Sequence, residues 1–397
     1  MCMKSPAVPS GSGLVICAGL YGSGSTWCYN VARDLMAVPA GAASPGAAVL
    51  GLYADDLTEA VETALLGHVP CIIKCHVLSP GLRVLARMTD APVLLSLRDP
   101  RDCVVSMMER FGWPFEKALG NVARSARSAL DWLRTDPALI LRYEDGFTGD
   151  PSSIGRIAAH LGQPADALRD AAFIHNMDRN QVAARIAARF GTGVLPAQAE
   201  NKSDPLSHWH PGHVGDGIIG KFASRLKPEE IALVEQSTWR LMRRFGYAAR
   251  SPVGLAPGDA VSFAAGEAGA GLLTSGFRLA ESWGTWMQRP IACLEVPLRA
   301  PAAHVSLDLD FFCGPALGEG CGAIAVIDNT TTMLFDPAAP RKMGQIIRRR
   351  IEADLGAPGN VVALTLYLSA DGATPSPLGV DAVTIGLVAL RCVAVSL

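Results

Sequence analysis

Short apolar runs alternate with longer amphipathic stretches between residues 14 and 247. The apolar runs are bounded by turn residues and have the length of buried strands, whereas the longer stretches repeat apolar residues at helical spacing. Strands that alternate with helices predict a doubly wound α/β fold, with a parallel sheet flanked by helices. The predicted strands are residues 14–18, 70–76, 91–97 and 138–141, and the predicted helices are residues 27–36, 54–66, 82–88, 115–133, 151–161 and 227–247.

The pattern changes near residue 251. Charged residues become sparse, Gly and Pro become frequent, and apolar and polar residues alternate with the period of a strand at 294–298 and 305–310. Further strands are predicted at 323–327, 361–368 and 383–395, with a short basic helix at 346–354. We therefore predict an all-β sandwich domain at residues 259–397, which follows an α/β domain at residues 1–250, with the boundary near residues 250–258.

Composition limits the classes of protein to consider. A chain of 397 residues is long enough for two domains, and 49% hydrophobic residues indicate well-packed cores. The net charge of −2 argues against binding to nucleic acid through bulk charge. The ten cysteines contain no CxxC pair, which favours free thiols in a reducing compartment. The N-terminus is unlike a secretory signal and no apolar run has the length of a membrane span, so we expect a soluble, cytoplasmic protein without an integral membrane segment.

A turn of small residues, Gly22-Ser23-Gly24-Ser25-Thr26, follows the first predicted strand. Between a strand and a helix, such a turn directs backbone N–H groups and the helix N-terminus toward one point, which favours a phosphate or sulfate. The hydroxyl groups of Ser25 and Thr26 would add donors. No Lys follows Gly24, so the Walker A signature is not matched. The alternative is a tight connection without a ligand.

Lys74 and His76 stand at the end of the predicted strand 70–76. In open α/β sheets, ligands bind at the carboxyl ends of the strands, so both side chains are candidates for a binding or catalytic site. The alternative is an isolated Lys at a strand end and an isolated surface His.

Arg98 directly follows the predicted strand 91–97. Asp99 suits the N-cap and Pro100 the first position of a helix that opens at Cys103 and carries Ser106. Arg98 and Ser106 can therefore face a second anion, because the guanidinium fork binds phosphate through two hydrogen bonds. The alternative is an Arg/Asp ion-pair network that stabilises the start of the helix.

Three histidines, His208, His210 and His213, stand close together in a Gly-containing loop. They lack a clear fourth ligand, and the loop suits contact with an anion at least as well, so we predict no metal site. The preceding stretch, residues 174–207, is polar and helix-leaning and could form a mobile lid.

Taken together, four stretches resemble the sulfotransferases that use 3′-phosphoadenosine 5′-phosphosulfate (PAPS). Residues 21–27 read YGSGSTW, similar to the family's phosphosulfate loop P-K-S-G-T-T-W, and residues 73–76 read IKCH, similar to I-K-T-H. Residues 98–106 read RDPRDCVVS, similar to the R-D-P-R-D-x-x-V-S element that holds the 3′-phosphate. Residues 141–145 read LRYED, followed by Asp150-Pro151 and Leu161-Gly162, similar to the Y-E-D…D-P…L-G segment. Order and spacing agree over residues 14–247.

The resemblance implies a P-loop-like sulfotransferase domain that binds PAPS, with adenosine 3′,5′-bisphosphate (PAP) as the product nucleotide and without a required metal. It implies that His76 is the general base for in-line transfer of the sulfuryl group and that Lys74 neutralises charge on the sulfuryl or bridging oxygens. The residues implied to bind the nucleotide are Gly22, Ser23, Gly24, Ser25, Thr26, Trp27 near the adenine, Arg98, Ser106, Tyr143, His210, Gly212 and His213.

Two stretches depart from the family pattern. Gly22 stands where the family has the loop Lys that assists the leaving phosphate. Residues 210–216 read HPGHVGD where the family has R-K-G-x-x-G-D, so the glycines and the Asp are kept while the Arg and Lys are not. The missing positive charge then has to come from another residue, and the candidates are Lys74, His210, His213, Lys202 and Lys221.

Functions from different classes are consistent with these features. The first is an O-sulfotransferase for a hydroxyl of a carbohydrate or other small-molecule acceptor, whose pocket would come from the variable loops 38–51 and 174–207. The second is a sulfotransferase-like nucleotide-binding protein without turnover, acting as a binding or assembly module, and the absence of the loop Lys at Gly22 motivates it. A P-loop kinase is disfavoured by the missing Lys after Gly24.

The predicted sandwich is similar in pattern to non-catalytic modules on bacterial glycan-modifying transferases. Trp283, Trp286 and Phe312 could form a surface that stacks on sugars. The alternatives are that these aromatic residues belong to a core or pack between domains, or that the sandwich shields the α/β domain or makes a homo-oligomer contact.

Overall fold

The computed structural model describes residues 13–37, 49–59, 61–62, 70–164, 166–191, 203–278, 280–314, 321–336, 344–370 and 385–396. By compactness the chain divides into two units, Met1–Leu226 and Lys227–Leu397. The helix expected at 227–247 therefore belongs to the second unit. The position of the domain boundary stays a prediction, which the stability of fragments can test.

A five-stranded parallel sheet lies at the centre of the first unit. Its strands are β1 (Leu14–Gly19), β2 (Leu50–Tyr53), β3 (Cys71–Cys75), β4 (Val93–Leu97) and β5 (Leu139–Arg142), in the spatial order β2-β3-β1-β4-β5. β1, β3 and β4 are buried along their whole length, as apolar strands covered on both faces should be. The predicted α/β fold class is confirmed, and β2 is a strand that the pattern did not reveal.

The helices of the first unit follow the predicted stretches closely. Asp99 accepts a hydrogen bond from the N–H of Arg101 at 2.9 Å and Pro100 takes the first helical position, as expected for a capped helix start. The helices are α1 (Ser25–Met36), α2 (Pro80–Met88), α3 (Pro100–Phe111), α4 (Phe115–Leu133), α5 (Pro151–His160), α6 (Ala167–Asn176), α7 (Arg179–Phe190) and the single turn α8 (Phe222–Arg225).

Two predictions for this unit need comment. The helix expected at 54–66 does not begin at Ala54, since residues 54–58 are not helical and Asp55 instead accepts hydrogen bonds from backbone amides after β3. In the expected lid, α6 and α7 provide the helical part, while residues 192–202 lie outside the described residues.

The second unit contains one antiparallel sheet and a long helix, α9 (Pro228–Phe245). The strands are β6 (Ala260–Ser262), β7 (Leu273–Ser275), β8 (Thr285–Trp286), β9 (Ile291–Cys313), β10 (Cys321–Ile327), β11 (Thr330–Phe335), β12 (Ile347–Ala370) and β13 (Ile385–Ser396). The main order is β11-β10-β12-β9-β13-β6, with β7 beside β9 and β8 beside β13. The predicted all-β character of residues 259–397, which follow α9 in the chain, is therefore confirmed.

The two long strands shape this sheet. The first half of β9 pairs with the second half of β12, and the second half of β9 pairs with the first half of β12 and with β13. Register shifts interrupt β12 between Asp354 and Val361, where a strand can bend. Buried residues of both halves belong to one hydrophobic core. The strands are thus joined into one continuous antiparallel sheet with one hydrophobic core.

The prediction of a short basic helix at 346–354 is wrong, because this stretch forms the first part of β12. Ile351 and Ala353 are buried, and Glu352 between them is exposed, which is the alternation of a strand. Arg348 and Arg350 pair across the ladder with Asp310 and Asp308 of β9. The charges that suggested a helix are cross-strand ion pairs, whose partners lie about 40 residues away along the chain.

Candidate functional site

A cavity of about 950 Å³ opens at the carboxyl ends of the parallel strands. β1, β3, β4 and β5 each contribute lining residues at or just after their last residue, which is where open α/β sheets bind ligands. The sequence-predicted residues that the cavity brings together are Gly22, Gly24, Ser25, Thr26, Trp27, Lys74, His76, Arg98, Ser106, Tyr143, His210 and His213.

The turn after β1 has the geometry of an anion site. Gly22 and Gly24 adopt φ values of +79° and +89°, and a Cβ on Gly24 would lie 3.0 Å from the ring of Phe147. α1 begins without a side-chain cap, and among the described residues the amides of Gly24, Ser25 and Thr26 find no acceptor. These amides and the start of α1 therefore leave donors available for an anion.

Ser23 does not line the cavity. Its hydroxyl donates to the carbonyl of Leu20 at 2.7 Å and lies 2.7 Å from the hydroxyl of Ser96, and its backbone N–H also donates to Leu20. The fully buried side chain therefore ties the turn to the end of β4. Ser23 holds the shape of the loop, and its predicted contact with a ligand does not fit this orientation.

Trp27 is 8% exposed and lines the cavity, with its ring packed edge-on against Phe147 at 5.3 Å. Its Nε1 is buried without a hydrogen-bond partner among the described residues. Unpaired donors buried at a cavity wall are costly unless a ligand supplies the acceptor.

His76 is held by contacts on three sides. Its Nδ1 lies 2.8 Å from the carbonyl of Gly19, so this nitrogen donates and Nε2 is left as the basic atom. Nε2 lies 3.4 Å from Nζ of Lys74, and the ring stacks on Tyr21 with 3.9 Å between centroids. The orientation of the ring is thus set before any ligand arrives.

Burial and neighbouring charge shift the pKa values of this pair. Burial, followed by the charge of Lys74, lowers the pKa of His76 well below its usual value, so the imidazole is neutral near pH 7. Burial, followed by the charge of Arg110, lowers the pKa of Lys74 to about 8. A neutral imidazole beside an ammonium group can accept a proton while the ammonium group stabilises negative charge.

Asp55 positions this pair and was not recognised from the sequence. Its Oδ1 accepts hydrogen bonds from the backbone amides of His76 and Val77 at 2.8 and 3.0 Å, which fixes the turn that carries the imidazole. The available signal is its place just after the short run Leu50–Tyr53, but the pattern predicts a helix over 54–66 instead.

A second anion-binding group lies at the end of β4. The guanidinium of Arg98 stacks over the ring of Tyr143 at 4.3 Å and donates to the carbonyls of Gly22 and Ile218 at 3.3 and 2.8 Å. Its Nε is buried and unpaired among the described residues. Ser106, on α3, lies 3.1 Å from the position that a Cβ on Gly22 would take. Arg98 and Ser106 therefore flank the turn after β1.

Two carboxylates hold the segments around Arg98, and that of Asp102 is fully buried. Asp102 accepts the amides of Gly220 and Phe222 at 2.6 and 3.0 Å. Glu144 accepts the amide of Asp99 at 2.7 Å. Asp102 and Glu144 thus connect the strand ends to one another and to the segment before α8. This is a stabilising role, as in the alternative stated for the Arg/Asp motif.

The histidine loop contributes neutral side chains. Burial lowers the pKa values of His208 and His210 to about 4, and it lowers that of His213 well below its usual range. His210 and His213 line the cavity. Gly212 does not, and a Cβ at this position would lie 3.6 Å from the carbonyl oxygen of Arg110 in α3. Within the described residues, no three His, Cys, Asp or Glu side chains are grouped as metal ligands.

Of the lysines considered for the missing charge, Lys221 is not free to supply it. Lys221 forms ion pairs with Glu109 at 2.5 Å and with Asp216 at 3.1 Å, so its charge is already compensated. Lys202 lies outside the described residues.

Arg110 is a cavity residue that the sequence did not reveal. It stands in the last turn of α3, one turn after Ser106, and lines the same cavity as Lys74, His210 and His213. Burial lowers its pKa to about 10, a value at which it still carries its charge near pH 7. Nothing local marks an Arg inside an amphipathic helix as a cavity residue, so no sequence signal distinguished it.

No protein-family model matches the sequence, and no curated protein matches it. Similar solved structures include mouse sulfotransferase SULT7A1 complexed with PAP, at 16% identity and a TM-score of 0.44, covering 59% of this chain and 89% of that one. Retinol dehydratase in complex with androsterone and inactive PAP is similar at 15% identity and a TM-score of 0.39, covering 59% and 82%. A family 29 carbohydrate-binding module is similar at 11% identity and a TM-score of 0.19, covering 30% and 79%.

Two further findings concern the described residues as a whole. None of their helices combines the length and the hydropathy needed to cross a membrane. Their cysteines are free thiols.

Proposed function

We propose that the first unit transfers the sulfuryl group of PAPS to a hydroxyl group of a carbohydrate or other small-molecule acceptor. One observation carries the proposal: the Lys74–His76 pair opens into the same cavity as two separate anion-binding groups. A donor with a phosphosulfate at one end and a phosphate on its ribose needs both groups, whereas a simple phosphate ester needs only one.

Each anion-binding group has a proposed ligand. The turn with Gly24, Ser25 and Thr26 would receive the phosphosulfate through its free amides and the start of α1. Arg98 and Ser106 would receive the 3′-phosphate, and Tyr143 would support the guanidinium through its ring. The indole of Trp27 would lie near the adenine, where its unpaired Nε1 has an acceptor within reach.

The proposed reaction is a direct displacement at sulfur. Nε2 of His76 takes the proton of the acceptor hydroxyl while the hydroxyl oxygen forms a bond to sulfur. The bond between sulfur and the bridging oxygen breaks, and PAP leaves with the electron pair. Lys74 stabilises the negative charge that develops on the departing oxygen. Proton transfer by such a base typically contributes about 10²–10⁴ in rate.

The acceptor would enter beside His76. Tyr21, Tyr53, Phe111 and Trp113 surround this part of the cavity, so an acceptor with apolar or ring-shaped surface near its hydroxyl group suits it. The second unit has no assigned part in this proposal.

Calorimetric titration with PAP tests the donor site. We expect micromolar binding to the wild-type protein and a loss of at least about tenfold for Arg98→Ala, because charge-assisted hydrogen bonds to phosphate are lost. Lys227→Ala, a substitution outside the cavity, serves as a charge-matched control. A folded wild-type protein that binds ATP but not PAP would overturn the proposal.

Turnover separates an enzyme from a binding module. With labelled PAPS and a panel of hydroxylated compounds, His76→Ala is expected to lose transfer while its affinity for PAP stays unchanged. A wild-type protein that binds PAP and transfers to none of the compounds would favour the binding module.

A further inference from the structure

Arg110 carries a charge that no carboxylate compensates. Among the described residues its guanidinium forms no ion pair, and its buried Nε has no hydrogen-bond partner. Its nearest aromatic contact is the ring of Phe111 at 5.4 Å. Burying an unpaired charge costs free energy, so a ligand that brings a negative charge would relieve this cost.

The charge of Arg110 acts on the centre of the cavity. It is the first charged group to lower the pKa of Lys74, and it also lowers those of His76, His210 and His213. Arg98, at the other anion-binding group, is not among the charges that shift these four residues. Arg110 therefore belongs to the part of the cavity around Lys74 and His76.

The other described candidates do not supply positive charge to the part of the cavity around Lys74 and His76. Gly22 has no side chain, His210 and His213 are neutral near pH 7, and Lys221 is paired with two carboxylates. Within the described residues, this leaves Lys74 and Arg110 as the two uncompensated cations in this part of the cavity. Two like charges repel each other, and an oxyanion placed between them would stabilise both.

We infer that Arg110 and Lys74 together bind the sulfuryl end of the donor, and that Arg110 supplies from α3 the positive charge that the turn lacks at Gly22. The inference rests on the proposed function. In the displacement at sulfur, the guanidinium would hold the sulfuryl oxygens and remain protonated throughout. It takes no part in the proton transfer to His76.

Sulfate is a probe for this site that needs no acceptor. When PAP is bound, the place of the sulfuryl group stays open to a second oxyanion, and titration with sodium sulfate measures the affinity for it. We expect Arg110→Met to lower the sulfate affinity at least about tenfold and Arg110→Lys to lower it less, with the affinity for PAP unchanged.

Arg124→Met is the matched control. Arg124 also has a buried, unpaired Nε and its charge also reaches His76, but it hydrogen-bonds to Tyr21 and does not line the cavity. This variant is expected to bind sulfate within about twofold of the wild type, since screening weakens a charge without contact. Equal losses in both arginine variants would overturn the inference, because general charge would then explain them.

The source of the anion is tested with PAPS itself. If Arg110 holds the sulfuryl group, Arg110→Met lowers the ratio of PAPS affinity to PAP affinity relative to the wild type. An unchanged ratio would overturn the inference and assign Arg110 to an anionic group of the acceptor instead. A wild-type protein that fails to bind PAP would overturn the proposed function. In that case, comparing sulfate binding to the wild type and to Arg110→Met without PAP would still test whether Arg110 binds an oxyanion.

Discussion

His76 is oriented by contacts at both ring nitrogens. The carbonyl of Gly19 takes the Nδ1 proton, Nε2 lies 3.4 Å from Nζ of Lys74, and Asp55 fixes the backbone of the turn. The low pKa that burial and Lys74 impose means that Nε2 is unprotonated over the whole neutral range. The ability of His76 to accept a proton therefore depends more on its burial than on a neighbouring carboxylate.

The pKa values of the pair predict the pH dependence of the proposed reaction. The role proposed for His76 requires its neutral form, which is already present well below pH 6.5, so the rate should change little between pH 6 and 7. The role proposed for Lys74 requires its charged form, which is lost above about pH 8, so kcat/KM for PAPS should fall there. In Lys74→Arg the alkaline decline should move to higher pH. A decline that stays near pH 8 in this variant would assign it to another group.

Residues were predictable where their position in the chain marks them. Lys74, His76 and Arg98 stand at the ends of apolar strands, and parallel strands bring such ends to one edge of the sheet. Asp55 and Arg110 reach the same edge from a turn and from a helix, where a polar residue is ordinary. Ser23 belongs to the motif by sequence, yet its hydroxyl turns inward because Ser96 and Leu20 offer buried partners.

At the scale of elements, the loops around the cavity are joined by buried carboxylates. Asp102 connects the first turn of α3 to the amides of Gly220 and Phe222, and its Oδ2 lies 3.7 Å from Arg98. These bonds hold the segment before α8 against the helix that carries Ser106 and Arg110.

Asp102→Ala should therefore destabilise the protein strongly. The change leaves the amides of Gly220 and Phe222 without their acceptor and removes the carboxylate beside the buried guanidinium of Arg98, at a cost of about 3 kcal/mol or more. Asp150→Ala, which removes the exposed cap of α5, is the matched control and should cost about 1 kcal/mol. The midpoints of urea unfolding measure both. Equal costs for the two variants would show that the buried carboxylate does not hold these elements.

Elements were predictable where their own residues determine them. The apolar runs of β1, β3 and β4 and the amphipathic pattern of α4 needed no knowledge of their neighbours. The first part of β12 could not be predicted without its neighbours, because Arg348 and Arg350 are stable in a strand only beside Asp308 and Asp310 of β9. A local pattern does not contain such distant partners.

At the scale of the whole molecule, α9 is part of the β-rich second unit. Arg240 donates to the hydroxyl of Thr274 and to the carbonyl of Leu273, both at 2.5 Å. The carboxylate of Glu235 is fully buried and accepts the amides of Arg250 and Ser251. The boundary predicted at 250–258 follows the change in amino-acid composition. The contacts of α9 with the residues after it depend on packing, which composition does not reveal.

Fragments of the second unit test the place of α9. A fragment that begins at Lys227 should unfold at a higher temperature than one that begins at Ser251, because the shorter fragment exposes the surface that the helix covers. Thermal melting followed by circular dichroism measures the difference. Similar Tm values for the two fragments would place the boundary near residue 250 after all.

The contact between Arg98 and the carbonyl of Gly22 has a consequence for selectivity. It ties the end of β4 to the turn after β1, and the bond between Ser23 and Ser96 ties the same two segments a second time. If the proposed function holds, the two candidate anion-binding groups keep a fixed separation, and a ligand would be selected by how far apart its own charges lie. A nucleotide whose phosphates form a single chain would then gain less than one that also carries a phosphate on its ribose. One that is anionic at both ends gains from a tethered second contact, which is equivalent to a high local concentration of its other end.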